Sequence, residues 1–231
     1  KQKLFGIGSL TIKKHLFEIN QKLHQIFVEA VTFYGKSEDK FELKFKYITP
    51  RNLIFYKRVL EVLKTYANDW DFEFIFEKRG RDNFWKQYLS LIQKLFKVKK
   101  GQHIILADYL NKPNKEPQAF EEFLKMESVV GAHQLESQGS LLLQASDILL
   151  GAISFVKNNG GDEFKKEAAL AVKEIFEEKN RAGVDSIYAA PKLIITENST
   201  LSSPGEWIKV SGLKIGDRIA TYDGYEKIVS I

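Results

Sequence analysis

The sequence predicts a mixed α/β domain followed by a small all-β module, and three observations lead to this prediction. Strand-like apolar runs alternate with helical patterns over residues 1–180. A strongly apolar segment, 140–156, has the composition of a buried helix. From Ala189 onward, short β-rich runs are separated by Ser, Pro, Gly and Asp. We therefore predict two domains, 1–188 and 189–231, and we expect helices to flank the mixed sheet of the first.

The first third of the chain contains two strand-like patterns and two helical ones. Residues 4–12 are apolar and β-branched at the end, which predicts a strand, and apolar residues at helical spacing predict a helix over 15–31. Strict alternation over 41–47 is typical of a half-buried strand or of an extended segment. Thr49 followed by Pro50 predicts an N-cap and the first position of a second helix.

The rest of the first domain alternates in the same way. The run 103–108 is apolar without alternation, which predicts a strand buried on both faces, and its apolar character stops at Asp108. Residues 111–118 contain two prolines and are a predicted loop. The other elements that periodicity predicts are strands at 72–76 and 128–132 and helices at 81–96, 119–126, 140–156 and 162–180.

The second domain carries four short β-rich runs, at 193–196, 207–210, 218–221 and 227–230. Asp223-Gly224 lies between the last two, and Asp-Gly in such a place is a strong hairpin signal because both turn residues need positive φ. The chain starts without Met in an apolar segment and stops at Ile231 inside an alternating pattern. We therefore expect the sequence to be an excerpt of a longer protein.

The composition is that of a folded protein, since 44% of the 231 residues are hydrophobic and 13% are aromatic. The lack of cysteine in the sequence excludes a disulfide scaffold, a thiolate zinc site and a cysteine nucleophile in this segment. No run approaches the roughly 18 to 20 consecutive apolar residues of a membrane-spanning helix. We expect a cytoplasmic location and no membrane partner.

The net charge of +5 lies entirely in the first domain. From Ala189 onward five basic and five acidic residues cancel, so residues 1–188 carry the whole excess. A basic domain favours polyanions as partners, which makes nucleic acid a candidate. An excess this small is also common on solvated surfaces.

Asp147 lies inside the apolar segment 140–156, where an unpaired charge would cost several kcal/mol. At helical spacing it shares a small and polar stripe with Ser140, Gln144 and Gly151. Two interpretations fit this position. Asp147 is either a functional carboxylate or a buried residue that caps a neighbouring backbone group.

Two further acidic residues are candidates for the same site. Asp108 closes a predicted strand, and α/β folds place ligand groups at the carboxyl ends of strands, although a turn residue is an equally ordinary role. Glu42 shares a predicted face with Lys44 and Lys46, a pattern that is also typical of a solvated strand face. Carboxylate oxygens suit Mg²⁺ or Mn²⁺, and two such ions can clamp both the attacking and the leaving oxygen in phosphodiester hydrolysis. Glu42, Asp108 and Asp147 are therefore the candidate catalytic and metal-binding residues.

Three segments, Glu42-Leu43-Lys44, then 104–108, then 136–151, resemble in order and spacing the domain of unknown function 3800 family. The last segment is the most specific, because the family pattern is close to Asp-Ser, a gap, then Leu-Gln-x-Ala-Asp-x-Leu-x-Gly. This chain has Glu136 for the first acid and Ser146 where Ala is usual. The resemblance covers roughly residues 1–180.

The resemblance implies an RNase H-like fold and a metal-dependent nuclease. It implies Mg²⁺ or Mn²⁺ held by Glu42, Asp108 and Asp147, and the supporting residues would be Lys44, Ser137 and Gln144. In RNase H-like enzymes the first metal ligand is an Asp on the first strand, here expected in an Asp-Glu-Ser-Gly-like motif that this sequence lacks. Residues 4–12 look like the strand that follows it. We therefore expect weak metal binding and little or no activity from the chain as printed.

The tail resembles the Hint fold of inteins, in which a tryptophan strand leads to Leu-Lys-x-Gly-Asp-x-Ile, as at 205–210 and 213–219. Splicing there needs a Cys or Ser nucleophile, a His in a Thr-x-x-His motif and a terminal His-Asn. If Thr196 opens that motif, Ser199 stands in the His position; otherwise the module begins near Ala189 and the His lies beyond Ile231. The resemblance implies a partial module with no complete set of splicing residues. A plain β appendage is the alternative.

Three functional hypotheses follow from the sequence. The leading one is a metal-dependent nuclease, incomplete in this segment. The second is a binding module that holds nucleic acid or a protein and uses its carboxylates structurally. The third is a host protein that carries part of an intein.

Overall fold

The computed structural model describes residues 4–79, 84–97, 99, 101–116, 119–158, 160–181, 218–221 and 224–227. The chain divides into two compact units, Lys1–Thr196 and Glu197–Ile231. The first unit is mixed α/β. Its elements in chain order are β1 (Leu4–Ile12), α1 (Leu16–Tyr34), α2 (Leu53–Thr65), β2 (Trp70–Lys78), α3 (Phe84–Lys97), β3 (His103–Asp108), α4 (Phe120–Phe123), β4 (Val129–Leu135), α5 (Leu141–Lys157) and α6 (Glu163–Arg181).

Strands β1 and β2 form an antiparallel pair whose register runs from Leu4 opposite Lys78 to Ile12 opposite Trp70. The strand predicted over 4–12 is confirmed. Two glycines on β1 make room for aromatic rings of β2, because a Cβ at Gly6 would lie 2.3 Å from the ring of Phe76. The same close approach joins Gly8 to a phenylalanine ring on β2.

Strands β3 and β4 form a separate, parallel pair. The described strands of the first unit therefore lie in two two-stranded sheets, and the prediction of one mixed sheet is wrong for them. The strand predicted at 103–108 is confirmed, but the prediction that it is buried on both faces is wrong. Ile105 is 5% exposed, whereas Ile104 and Leu106 are 68% and 51% exposed. An apolar run shows that a strand is apolar, but not how many of its faces receive a packing partner. Asp108 lies on the open face, two residues beyond Leu106.

Two hydrophobic clusters hold the first unit together. The larger one joins α1, α2, α5 and α6 to the β1–β2 pair and includes the fully buried Ile19, Leu63 and Leu149. The smaller one joins α3 and α4 to the β3–β4 pair around Trp85 and Ile105. Every residue of α5 before Lys157 is buried or partly buried, which confirms the prediction of a buried helix.

The alternating segment 41–47 is extended and forms no strand with a neighbouring chain segment. Phe41, Leu43 and Phe45 are buried, while Glu42 and Lys44 are partly exposed, as the alternation predicts. Of the two interpretations, the structure therefore shows the extended segment. Its last residues, Phe45–Tyr47, close into a single 3₁₀ turn.

Helix α2 starts at Leu53, so the predicted start at Thr49-Pro50 is wrong. Asn52 explains the difference. Its Oδ1 accepts a hydrogen bond from the Thr49 backbone N–H (2.7 Å), and its Nδ2 donates to the Tyr47 carbonyl (2.9 Å). This local side-chain pairing stabilises a turn over 49–52 in place of a first helical turn. Helix α4 is also shorter than the predicted 119–126.

In the second unit, β5 (Arg218–Thr221) and β6 (Gly224–Lys227) form an antiparallel hairpin in which Thr221 is opposite Gly224. The hairpin is confirmed, but the prediction that Asp223 and Gly224 are both turn residues is wrong, because Gly224 is the first residue of β6 and pairs with Thr221. Strand β6 also begins earlier than the predicted run at 227–230. Residues 228–230 lie outside the described residues, as do the runs predicted at 193–196 and 207–210. In the part of the chain that is described, no helix combines the length and the apolar character needed to cross a membrane.

Candidate functional site

The polar stripe of α5 binds the backbone of the extended segment 41–47. Gln144 Oε1 accepts a hydrogen bond from the Leu43 N–H (2.8 Å), and Asp147 Oδ2 accepts one from the Phe45 N–H (2.9 Å). In an extended chain the N–H groups of residues i and i+2 point the same way, so two side chains one helical turn apart can receive both. The helix therefore supplies hydrogen-bond acceptors to the backbone of this segment, as a neighbouring strand would in a sheet.

Gly151 completes the stripe by its lack of a side chain. A Cβ at this position would lie 2.3 Å from the Cβ of Phe45 and 2.6 Å from the first carbon of its ring. Contacts that short do not occur between real atoms. The glycine therefore sets how closely the extended segment approaches α5.

Ser137 and Gln144 connect the extended segment to the turn before α5. Gln144 Nε2 donates to the Ser137 carbonyl (3.0 Å), and the Ser137 hydroxyl donates to Glu42 Oε1 (2.6 Å). Both residues are buried: Ser137 is 3% exposed and Gln144 is 2% exposed. The two supporting residues therefore orient Glu42 and the backbone beside it.

Lys44 contacts two of the three candidate carboxylates. Its Nζ is 3.0 Å from Oε2 of Glu42 and 4.0 Å from Oδ2 of Asp108. The side chains of Glu42 and Lys44 are only 14% and 18% exposed, whereas that of Asp108 is 55% exposed. The structure thus brings Glu42 and Asp108, which are 66 positions apart in the sequence, to one ammonium group.

The charges of this cluster shift the titration of its members. Burial would by itself raise the pKa of Glu42, but the hydrogen bonds from Ser137 and Lys44 and the lysine charge outweigh it, and the pKa lies below its ordinary value. Burial would likewise lower the pKa of Lys44. The bond to Glu42 and the negative charges of Asp108, Glu42 and Asp147 instead raise it. Both groups are therefore charged at neutral pH.

Asp147 has the opposite shift from Glu42. Burial raises its pKa, the Phe45 N–H and the charge of Lys44 oppose this only in part, and the charge of Asp108 adds to the increase. Its observed hydrogen bond is the backbone cap that was one of the two interpretations of this residue. The structure shows this structural role, and a functional role stays a prediction.

Two tyrosines that the sequence did not single out hold the backbone of the site. The Tyr56 hydroxyl donates to the Lys44 carbonyl (3.0 Å), and the Tyr88 hydroxyl donates to the Asp108 carbonyl (2.9 Å). Burial raises the pKa of both phenols, so each keeps its proton and remains a donor. Both tyrosines occupy ordinary helical positions, so periodicity carries no signal for this role.

The three carboxylates have the right chemistry for Mg²⁺ or Mn²⁺, but their arrangement is not that of a ready metal site. Within the described ranges, no three acidic or histidine side chains come close enough together to hold a metal ion. Glu42 and Asp108 face an ammonium group, and one oxygen of Asp147 faces a backbone N–H.

Comparisons of the chain with protein-family models, with curated proteins and with solved structures find no match.

Proposed function

We propose that the first unit is a nuclease domain of the domain of unknown function 3800 family, with an RNase H-like fold, and that it hydrolyses phosphodiester bonds with Mg²⁺ or Mn²⁺. The observation that carries this proposal is the convergence of Glu42 and Asp108 on one cation, with Asp147 within electrostatic range. The sequence predicts that these three carboxylates bind a cation. In the structure, the ammonium of Lys44 is a cation that contacts two of them, Glu42 and Asp108.

The strand pairing supports the fold part of the proposal. An RNase H-like sheet combines antiparallel and parallel strands, and the described part of the first unit has both kinds of pairing, although in two separate sheets: β1–β2 is antiparallel and β3–β4 is parallel. Asp108 is at the carboxyl end of a parallel strand, the end where α/β folds bind ligands. Glu42 contacts the same lysine as Asp108, and the charge of Asp147 on α5 acts on this lysine as well.

The charge balance supports nucleic acid as the substrate. The net charge of +5 belongs to residues 1–188, and a basic surface attracts polyanions at long range. For the tail we propose a partial Hint-like module, to which the β5–β6 hairpin contributes one pair of strands.

A non-catalytic binding module is the second candidate, and one observation favours it. Each predicted catalytic carboxylate already has a protein partner: Lys44 for Glu42 and Asp108, and the Phe45 N–H for Asp147. Carboxylates that interact with protein groups in this way can have a purely structural role.

Asp108→Asn is the sharpest test of the nuclease proposal, because its exposed side chain can change without disturbing a packed core. We expect Mn²⁺ at millimolar concentration to raise the melting temperature of the unchanged chain, and this rise to disappear in Asp108→Asn. Any cleavage of labelled RNA or DNA by the unchanged chain should require Mn²⁺ and should be absent in the variant.

Asp71→Asn is the matched control. Asp71 is 47% exposed and also forms an ion pair with a lysine, Lys13, but it lies on β2. It should leave the Mn²⁺ response intact. Salt-dependent binding of nucleic acid with neither cleavage nor a Mn²⁺ response would contradict the nuclease proposal and support the binding module.

A further inference from the structure

Lys44 has a fixed backbone and a long side chain. The N–H groups on either side of it, at Leu43 and Phe45, are bound to Gln144 and Asp147, and its own carbonyl accepts the Tyr56 hydroxyl. These three bonds hold residues 43–45 against α5 and α2. A lysine side chain has four methylene groups and a compact ammonium, so the charge can move while the backbone does not.

The ammonium of Lys44 occupies the position that a metal ion would need. It is 3.0 Å from a Glu42 oxygen and 4.0 Å from an Asp108 oxygen, and the charge of Asp147 also acts on it. Carboxylates this close repel one another unless a cation lies between them, and both lysine and a divalent ion can provide that charge. The two cations exclude each other, since a divalent ion bound to the same oxygens would meet the ammonium at close range.

We propose that Lys44 is an internal counter-cation that holds the carboxylate cluster together without metal, and that a divalent ion must displace its ammonium to bind. This inference rests on the proposed function, because it concerns the same candidate metal site, at which no three carboxylates lie close enough to hold an ion among the described residues. Competition from the ammonium then weakens metal binding at this site.

The test compares Mn²⁺ binding by the full chain with binding by Lys44→Met, Lys44→Gln and Lys44→Arg. Removing the positive charge should tighten Mn²⁺ binding at least about tenfold in the Met and Gln variants, because a repulsive unit charge within about 4 Å of the ion is gone. Lys44→Arg keeps the charge and should bind Mn²⁺ as weakly as the unchanged chain. Isothermal titration calorimetry and the electron paramagnetic resonance of free Mn²⁺ both measure this affinity.

Thermal melting separates the competition from a merely structural role. Without metal, Lys44→Met should melt below the unchanged chain, since Glu42 loses its ion pair while still mostly buried, although it keeps the hydrogen bond from the Ser137 hydroxyl. Saturating Mn²⁺ should raise the melting temperature of this variant by more than it raises that of the unchanged chain. A structural lysine would instead lower the melting temperature by the same amount with and without Mn²⁺.

Lys13→Met is the matched control, because Lys13 forms an ion pair with Asp71 on the surface. Its Mn²⁺ affinity should not change. The inference is overturned if Lys44→Met and Lys44→Gln bind Mn²⁺ no tighter than the unchanged chain, including the case in which none of them binds it. Tight Mn²⁺ binding by the Met variant with no cleavage of RNA or DNA under any condition would support the inference and contradict the nuclease proposal.

Discussion

At the scale of single residues, Asp147 shows how one carboxylate can meet two demands. Its Oδ2 accepts the Phe45 N–H, a bond that would otherwise be missing from the extended segment. Its charge is nevertheless unfavourable in the folded state, since burial raises its pKa. Retaining an ionisable group there, where asparagine could make the same bond, is consistent with the proposed role of the charge at the site.

Asp147→Asn should change the pH dependence of stability. Because the pKa of Asp147 is higher in the folded than in the unfolded chain, the folded chain binds more protons between the two values, and its stability falls as pH rises through that window. Asparagine does not ionise and can still accept the Phe45 N–H. The free energy of unfolding of the variant, minus that of the unchanged chain, should therefore increase with pH in urea titrations from about pH 4 to about pH 8.

Asp147→Ala provides the comparison for the hydrogen bond. It leaves the Phe45 N–H without its acceptor, so it should be about 1–3 kcal/mol less stable than Asp147→Asn at every pH. Parallel pH profiles for the Asn variant and the unchanged chain would contradict the raised pKa.

At the scale of secondary-structure elements, α5 is the element that organises the site. One of its faces packs into the larger cluster through Ile148 and Leu149, and its polar stripe binds the backbone of 41–47. Glu42 and Lys44 are carried by that segment, so the position of the carboxylate cluster depends on how closely the segment approaches α5.

Gly151→Ala should test this dependence. The new Cβ would meet the Cβ of Phe45, which is not the flexible end of a side chain, so the segment must move away. We expect a loss of about 1–3 kcal/mol in the free energy of unfolding, larger than the gain in helix propensity from replacing glycine. Urea denaturation measures this loss.

Gly139→Ala is the matched control, because no atom lies within 4 Å of a Cβ built there. Its stability should remain within about 0.5 kcal/mol of the unchanged chain. A Gly151→Ala variant as stable as Gly139→Ala would show that the approach of Phe45 to α5 is not as tight as described.

At the scale of the whole molecule, the first unit is built around two clusters of unequal size. The carboxylates of the site come from both parts: Asp147 from α5 in the larger cluster, and Asp108 from β3, whose Ile105 belongs to the smaller one. Ile7 of β1 packs against the smaller cluster, which links the two. The geometry of the site therefore depends on the packing of the whole unit.

Leu149→Ala should measure how much packing in the larger cluster contributes to the stability of the chain. Leu149 is fully buried, and its truncation leaves a cavity that should cost about 2–5 kcal/mol. The same change at Leu170, which is 51% exposed, should alter stability by no more than about 0.5 kcal/mol. Chemical denaturation of both variants gives the comparison, and equal effects would contradict the assignment of the core.

Local sequence patterns were sufficient for most helices and strands of the first unit. The strands at 4–12 and 103–108 and the helix α5 follow from the spacing of apolar residues, because periodicity is a property of neighbours in the chain. Periodicity did not predict the turn at Asn52, since one side chain overrode a proline signal there. It also could not show that Ile104 and Leu106 lack a packing partner.

By itself, the sequence determined which residues are candidates for the site and which of them share a face. It placed Gln144, Asp147 and Gly151 on one stripe of a helix, and Glu42 and Lys44 on one side of an alternating segment. Only the tertiary structure decided that the stripe binds this segment and that the ammonium of Lys44 contacts both Glu42 and Asp108. Contacts between residues about a hundred positions apart depend on how the whole chain packs, and no local pattern encodes that packing.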